Sequence, residues 1–260
     1  MSKLQTFLCE ILDTVDPFKD VISNIMLRER DGEIKAAAKS RDGAISVEIS
    51  CKGDMPEFTE KACLGSLSFL RGALKSAHMD GGKIELTYGP ASNGKDEVLR
   101  SILLKGKRRF NVFYHAIDPF INKMNRIKLP PMLDWPVCFA IDQDFIAAFD
   151  DTYKVNALSP KTGLHDDIFQ LAYTGDSIEA IFGDKNHKLN VVLSETVEAK
   201  AGSDKTFAHF SISRFRAILR LIGKGDAIGY LSPTGLRVDT ETKNASYKFV
   251  TAAKKIKGKD

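Results

Sequence analysis

The chain has 260 residues; 38 basic against 34 acidic side chains leave a formal charge of +4, with 43% of residues hydrophobic. That balance excludes a disordered or collagen-like chain and a small disulfide-stapled fold, and leaves room for one large domain or two small ones. No apolar run approaches the ~20 residues of a membrane span, and Glu10 interrupts the N-terminal apolar stretch where a signal peptide would keep it, so the expected location is the cytoplasm. Cys9, Cys51, Cys63 and Cys138 lie far apart with no CxxC and no histidine at ligand spacing, which predicts reduced, structural thiols and no metal.

The first predicted element is a short amphipathic helix whose apolar face is Leu4, Phe7, Leu8, Ile11 and Leu12. Lys3 on this helix is accompanied by Glu10 and Asp13, so the helix is poor in net positive charge. Residues 25–50 follow as three short strands, with apolar side chains at every second position and Asp31-Gly32 and Asp42-Gly43 as turn chemistry. A second helix is predicted from Leu67, Leu70, Leu74 and Ala77, spaced along one face and running into Gly81-Gly82. Arg71 and Lys75 fall on its exposed side.

Strands are predicted at 83–88, 98–104 and 109–118. Between the first two, Gly89 to Asp96 matches most of a phosphate-binding loop, but Asp96 stands where a Ser or Thr hydroxyl must hold magnesium. A strand follows it rather than the helix whose N-terminus would face the phosphate, so a hairpin loop is predicted. Lys105 to Arg109 is a basic turn, read either as solvated or as a nucleic-acid contact. Residues 122–136 carry Pro130, Pro131 and Pro136, too many for a helix or a central strand, and read as a linker. Trp135 within it is expected to pack in a core rather than to serve as a stacking platform.

The second half repeats the first. A helix with Phe145, Ile146 and Phe149 on its apolar face carries Asp144, Asp150 and Asp151. Residues 169–194 align with 25–50 without a gap at an offset of 144, Leu27 falling on Leu171, Ile34 on Ile178, Val47 on Val191 and Ser50 on Ser194. Ile212, Phe215, Leu219 and Ile222 repeat the helical spacing of 67–77 at an offset of 145. Arg216 and Arg220 then align with Arg71 and Lys75, Lys224 follows, and Gly223 and Gly225 end the helix. Strands at 228–231 and 247–253 and a basic tail complete the chain. His165-Asp166-Asp167 reads as a loop, and no nucleophile motif or metal-ligand spacing occurs, so neither a catalytic residue nor a cofactor is predicted.

The predicted architecture is α+β: an N-terminal domain at 1–125, a linker at 126–136, a C-terminal domain at 137–253 and a tail at 254–260. Cations recurring at equivalent places on equivalent helices suit either a solvated face or a shared anionic partner such as phosphate. The order helix-strands-helix-strands, taken twice with a proline-bearing linker, resembles the DNA sliding clamps, closest to those of T-even-type phages and more distantly proliferating cell nuclear antigen. The residues carrying this are 130–149 (PPMLDWPVCFAIDQDFIAAF), 109–118 (RFNVFYHAID) and 247–253 (YKFVTAA).

The resemblance implies a homotrimeric ring of tandem clamp-type domains, helices inside and sheets outside, that encircles double-stranded DNA and confers processivity on a DNA polymerase. It implies loading by an ATP-dependent clamp loader, no enzymatic activity and, for a viral protein, the host cytoplasm. Carried onto this chain, Arg71, Lys75, Arg216, Arg220 and Lys224 would face DNA. Ile127, Leu129, Met132, Val250 and Ala252 would form a pocket for partners' peptides. Strands 98–104 and 189–194 are the expected edges for head-to-tail pairing. The positive net charge departs from the family, whose members are commonly acidic overall. A non-encircling nucleic-acid-binding accessory protein is the alternative, and an enzyme using Gly89 to Lys95 and His165 a third reading.

Overall fold

The computed structural model describes residues 2–30, 33–51, 58, 60–121, 134–158, 167–183, 187–203, 206–223 and 225–254. The chain divides into two compact units, one of Met1–Leu129 with Lys243–Tyr247, the other of Pro130–Thr242 with Lys248–Asp260.

The first unit opens with α1 (Lys3–Val15), capped by the Ser2 hydroxyl, which accepts from Gln5 N. Strands β1 (Ile25–Arg30), β2 (Glu33–Lys39), β3 (Ile45–Cys51) and β4 (Ala62–Leu64) follow, then α2 (Leu67–Leu74) and strands β5 (Lys83–Pro90), β6 (Glu97–Lys105) and β7 (Asn111–His115). Four strands lie in the order β4-β1-β2-β3 and three in the order β5-β6-β7, with antiparallel pairing. The turn between β2 and β3 is set by Gly43 at φ +69° and by Asp42, whose carboxylate takes Ala44 N at 3.0 Å. The period-two pattern of β2 buries Ile34, Ala36 and Ala38 on one sheet face, and α1, with Phe7, Leu8, Ile11 and Leu12 buried, packs on the adjacent β3.

The second unit repeats this order. It contains β8 (Val137–Ile141), α3 (Gln143–Asn156), β9 (Ile168–Tyr173), β10 (Ile178–Gly183), β11 (Lys188–Ser194), β12 (Val197–Ala199) and β13 (Phe207–Ser211). After these come α4 (Ile212–Ile222), β14 (Ala227–Ser232), β15 (Gly235–Glu241) and β16 (Ala245–Ala252), whose first three residues are counted with the first unit. The sheet β13-β9-β10-β11 mirrors β4-β1-β2-β3, and β14-β15-β16 mirrors β5-β6-β7. In the second unit β8 and β12 extend the latter sheet beyond β14. Its core is aromatic: Phe149 lies 5.0 Å from Phe169, 5.2 Å from Phe182 and 4.9 Å from Phe215, centroid to centroid.

Three expectations need correction. Strand 98–104 is β6, the middle of its sheet with β5 on one side and β7 on the other, so it offers no free edge. Ala77 is exposed and lies in a separate 3-10 turn, Ala77–Met79, because the Ser76 hydroxyl accepts from His78 N and starts a new short element. Gly81 therefore follows that turn, not α2. Trp135 is half-buried rather than a core residue.

Candidate nucleic-acid interface

Helix α2 is placed by the strand that ends its unit. The buried Tyr114 hydroxyl of β7 accepts from Gly65 N at 2.8 Å and donates to Gly65 O at 2.7 Å, anchoring the residue two before the helix. Ser66 then turns the chain through a left-handed conformation at φ 43°, ψ 45°. Leu67, Leu70 and Leu74 bury one face and leave Arg71 and Lys75 on the other, Lys75 being the C-cap rather than part of the helix. At the far end the buried Gln5 amide of α1 donates to Leu74 O at 3.1 Å, so a neighbouring helix caps α2.

Helix α4 reproduces the arrangement with different local chemistry. The Ser211 hydroxyl accepts from Arg214 N at 3.4 Å, and the Asp167 carboxylate takes Ser213 N at 2.8 Å. Phe215, Ile218, Leu219 and Ile222 are buried while Arg216 is half-buried and Arg220 exposed. Gly223 ends the helix at φ 62°. Gln143 of α3 donates to Gly223 O at 2.9 Å and Gly225 O at 3.2 Å, the counterpart of Gln5.

The cations are not equally available. Arg71 Nε donates to Asp13 Oδ1 at 2.7 Å and Lys75 Nζ to Asp13 Oδ2 at 2.6 Å, while Arg71 Nη1 lies 3.5 Å from Asp16 Oδ2. In the second unit Arg216 Nε donates to Asp150 Oδ1 at 2.8 Å and its guanidinium sits 3.9 Å from the centroid of Tyr153. Each arginine is thus held by two residues three apart, Asp13 of α1 with Asp16 just beyond its end, and Asp150 with Tyr153, both of α3. Burial alone would raise the Asp13 carboxyl, but hydrogen bonds from Lys75 and Arg71 outweigh it and hold the group below the usual carboxylate range. Arg220 makes no ion pair among the described residues.

The aspartates and glutamines of the first helices are the residues that sequence reasoning missed. Asp13 and Asp150 were visible as a deficit of positive charge, but a linear sequence gives no interhelical distance.

Lys224 of the cationic set and Ile127, Leu129 and Met132 of the pocket set lie outside the described residues. Val250 and Ala252 share the less buried face of β16, opposite Phe249 and Thr251. Gly89 and Pro90 end β5, and residues 91–96 close a hairpin in which Ala91 N donates to Asp96 O at 2.8 Å and Lys61 pairs with Asp96 at 2.8 Å. The basic turn holds Arg108 and Arg109 exposed at φ 56° and 60°, and Lys107 pairs with Asp80 at 2.8 Å. His165 and Asp166 fall outside the described residues, whereas Asp167 is engaged by Ser211 and Ser213. Among the described residues no three His, Cys, Asp or Glu side chains gather as a metal site, and no helix is long and apolar enough to cross a membrane.

No protein-family model and no curated protein matches the sequence. The fold does match solved structures over nearly the whole chain. PCNA from Thermococcus kodakaraensis superposes with a TM-score of 0.67 at 14% identity, covering 96% of this chain and 97% of that one. A. fulgidus PCNA, solved with the C-terminal region of FEN-1 bound, gives 0.68 at 11% identity with the same coverage. A PCNA2–PCNA3 complex from Sulfolobus tokodaii gives 0.65 at 10% identity, covering 95% of this chain and 96% of that one. The chain therefore has the α+β clamp fold, with its helix-and-strand domain present twice.

Proposed function

We propose that this chain is a non-enzymatic DNA sliding clamp, a subunit of a homotrimeric ring that encircles duplex DNA and tethers a DNA polymerase. The observation that carries this reading is the end-to-end match of both repeated units to the PCNA fold. In the proposed ring the helices face the hole and the sheets the rim, with domains at 1–125 and 137–253 joined by 126–136. An ATP-dependent loader places the ring on DNA, as in clamps of the T-even-phage type that the sequence resembles.

Two strands suit head-to-tail closure. Among the described residues β7 and β11 stand at the ends of their sheets, and both display apolar side chains, with Phe113 56% and Val192 47% exposed. Unpaired apolar edges invite strand addition, and a closed ring would use them. Arg71, Lys75, Arg216, Arg220 and Lys224 are the proposed phosphate contacts, acting without base readout so that the ring can slide. Ile127, Leu129, Met132, Val250 and Ala252 are the proposed pocket for partner peptides, a role that suits the half-buried Val250 and exposed Ala252 on the less buried face of β16.

Native mass spectrometry with a processivity assay on primed circular DNA tests the proposal. The chain is expected at three times its own mass, and Phe113→Arg or Val192→Arg should convert it to folded monomer. A wild-type monomer that binds DNA would replace the ring with the non-encircling accessory protein. A trimer surviving both substitutions would reject the β7–β11 pairing.

A further inference from the structure

We propose that Asp13 and Asp150 are positioning residues that restrain duplex affinity: each holds the arginine of the following helix in a carboxylate pair, so that the DNA-facing surface binds weakly enough to move. This rests on the clamp reading above and adds to it how tightly the cationic helices grip.

The geometry recurs in both units. Arg71 Nε meets Asp13 Oδ1 at 2.7 Å and Arg216 Nε meets Asp150 Oδ1 at 2.8 Å. Asp13 spends its other oxygen on Lys75 at 2.6 Å, so one carboxylate engages both cations of α2. With Asp16 included, the first cluster holds two cations and two carboxylates and is neutral, 2 − 2 = 0. In the second unit Arg216 and Asp150 cancel likewise, 1 − 1 = 0, and Arg220 retains its charge. Three of the four proposed contacts within the described residues are therefore matched locally by acid.

Folding alone does not account for this arrangement. The paired side chains remain partly exposed, 34% and 40% for Arg71 with Asp13 and 20% and 34% for Arg216 with Asp150, and pairs so accessible to solvent contribute little to stability. Because both partners reach solvent, a phosphate can compete for the guanidinium. It then meets a carboxylate at the same place, and the exchange replaces one ion pair by another with little net release of counterions. Weak, shallow salt-dependent binding is the expected result. Tyr153 keeps the Arg216 plane in position during that exchange, since stacking does not consume its donors.

The test is duplex binding by the full chain, measured by fluorescence anisotropy with a random-sequence DNA duplex across a range of salt. Asp13→Asn and Asp150→Asn preserve shape and remove the charge. The double variant should bind about 10-fold tighter at low salt, with a slope of log affinity against log salt steeper by about 1 to 2. Asp13→Glu and Asp150→Glu, which restore the carboxylate, should return towards wild type, an outcome a purely structural role does not predict. Asp16→Asn, removing only the 3.5 Å contact, should give a smaller change of the same sign, and keeps the test open if a larger change unfolds the chain. Arg220→Glu reports separately on the clamp reading. If it weakens duplex binding while the Asn variants bind no tighter than wild type, the restraint is rejected and the DNA-facing helices stand. If neither Arg220→Glu nor any Asn variant alters duplex binding, both are rejected.

Discussion

Helices α2 and α4 occupy the same place in the repeat and expose cations from the same register, yet α2 spans 8 residues and α4 spans 11. The apolar faces are comparable, so the difference lies in the ends and the middle. Helix α4 begins at a serine whose hydroxyl accepts a backbone hydrogen bond and stops at a glycine with φ 62°. Helix α2 begins at a serine in a left-handed conformation that makes no side-chain cap, carries Gly72 where α4 has Ala217, and gives way to a 3-10 turn. Hydrophobic spacing thus reports which face of a helix is buried, whereas capping chemistry decides how far it runs. One consequence is electrostatic: Arg220 sits within a helix, while its counterpart Lys75 is a C-cap bound to Asp13.

The sharpest way to break this comparison is to empty the core beneath each helix. Phe215 has ring neighbours at 4.9 Å (Phe149), 5.2 Å (Phe169) and 6.3 Å (Phe145), and its aligned partner in α2 is the aliphatic Leu70. Phe215→Ala should cost about 3–5 kcal/mol and Leu70→Ala about 2–5 kcal/mol, the aromatic site being the more costly because it leaves the larger void. Denaturant midpoints compare the two. A larger loss at Leu70 would mean that α2, despite its brevity, is the better-packed helix.

Capping gives a smaller and more selective effect. Ser211→Ala removes an acceptor for Arg214 N and a partner of Asp167, and should cost about 1 kcal/mol. Ser66→Ala removes no side-chain cap and should fall close to zero. Equal losses in equilibrium unfolding would show that the two helix starts are chemically alike after all.

Much of this organisation is legible in the sequence because it rests on local repetition. The gapless alignment of 25–50 with 169–194 falls on β1–β3 and β9–β11, and the failed phosphate-loop match at Asp96 falls in a hairpin. What was not legible depends on neighbours distant in sequence. Strand 98–104 reads as an edge candidate until β5 and β7 are seen on either side of it. Ala77 continues the apolar spacing of α2, but Ser76 redirects the backbone before it. Asp13 and Asp150 look like residues that dilute positive charge, and only the packing of α1 on α2 and of α3 on α4 turns them into partners of Arg71 and Arg216.

The smallest effect tests the helix interior directly. A methyl group built on Gly72 meets no atom within 4 Å, and the residue lies in the middle of α2 without the positive φ that would require glycine. Glycine costs about 1 kcal/mol relative to alanine in a helix interior, mainly because the unfolded chain loses more freedom on folding. Gly72→Ala should therefore stabilise the protein by about 0.5–1 kcal/mol, read as a higher unfolding midpoint with unchanged denaturant slope. The reverse change, Ala217→Gly in α4, should lower the midpoint by a similar or larger amount, because Ala217 is half-buried and its methyl packing is lost as well. Together the pair isolates the interior residue from the caps. If Gly72→Ala leaves the midpoint unmoved while Ala217→Gly lowers it, the brevity of α2 is fixed by Ser66 and Ser76 at its ends and the glycine between them contributes nothing.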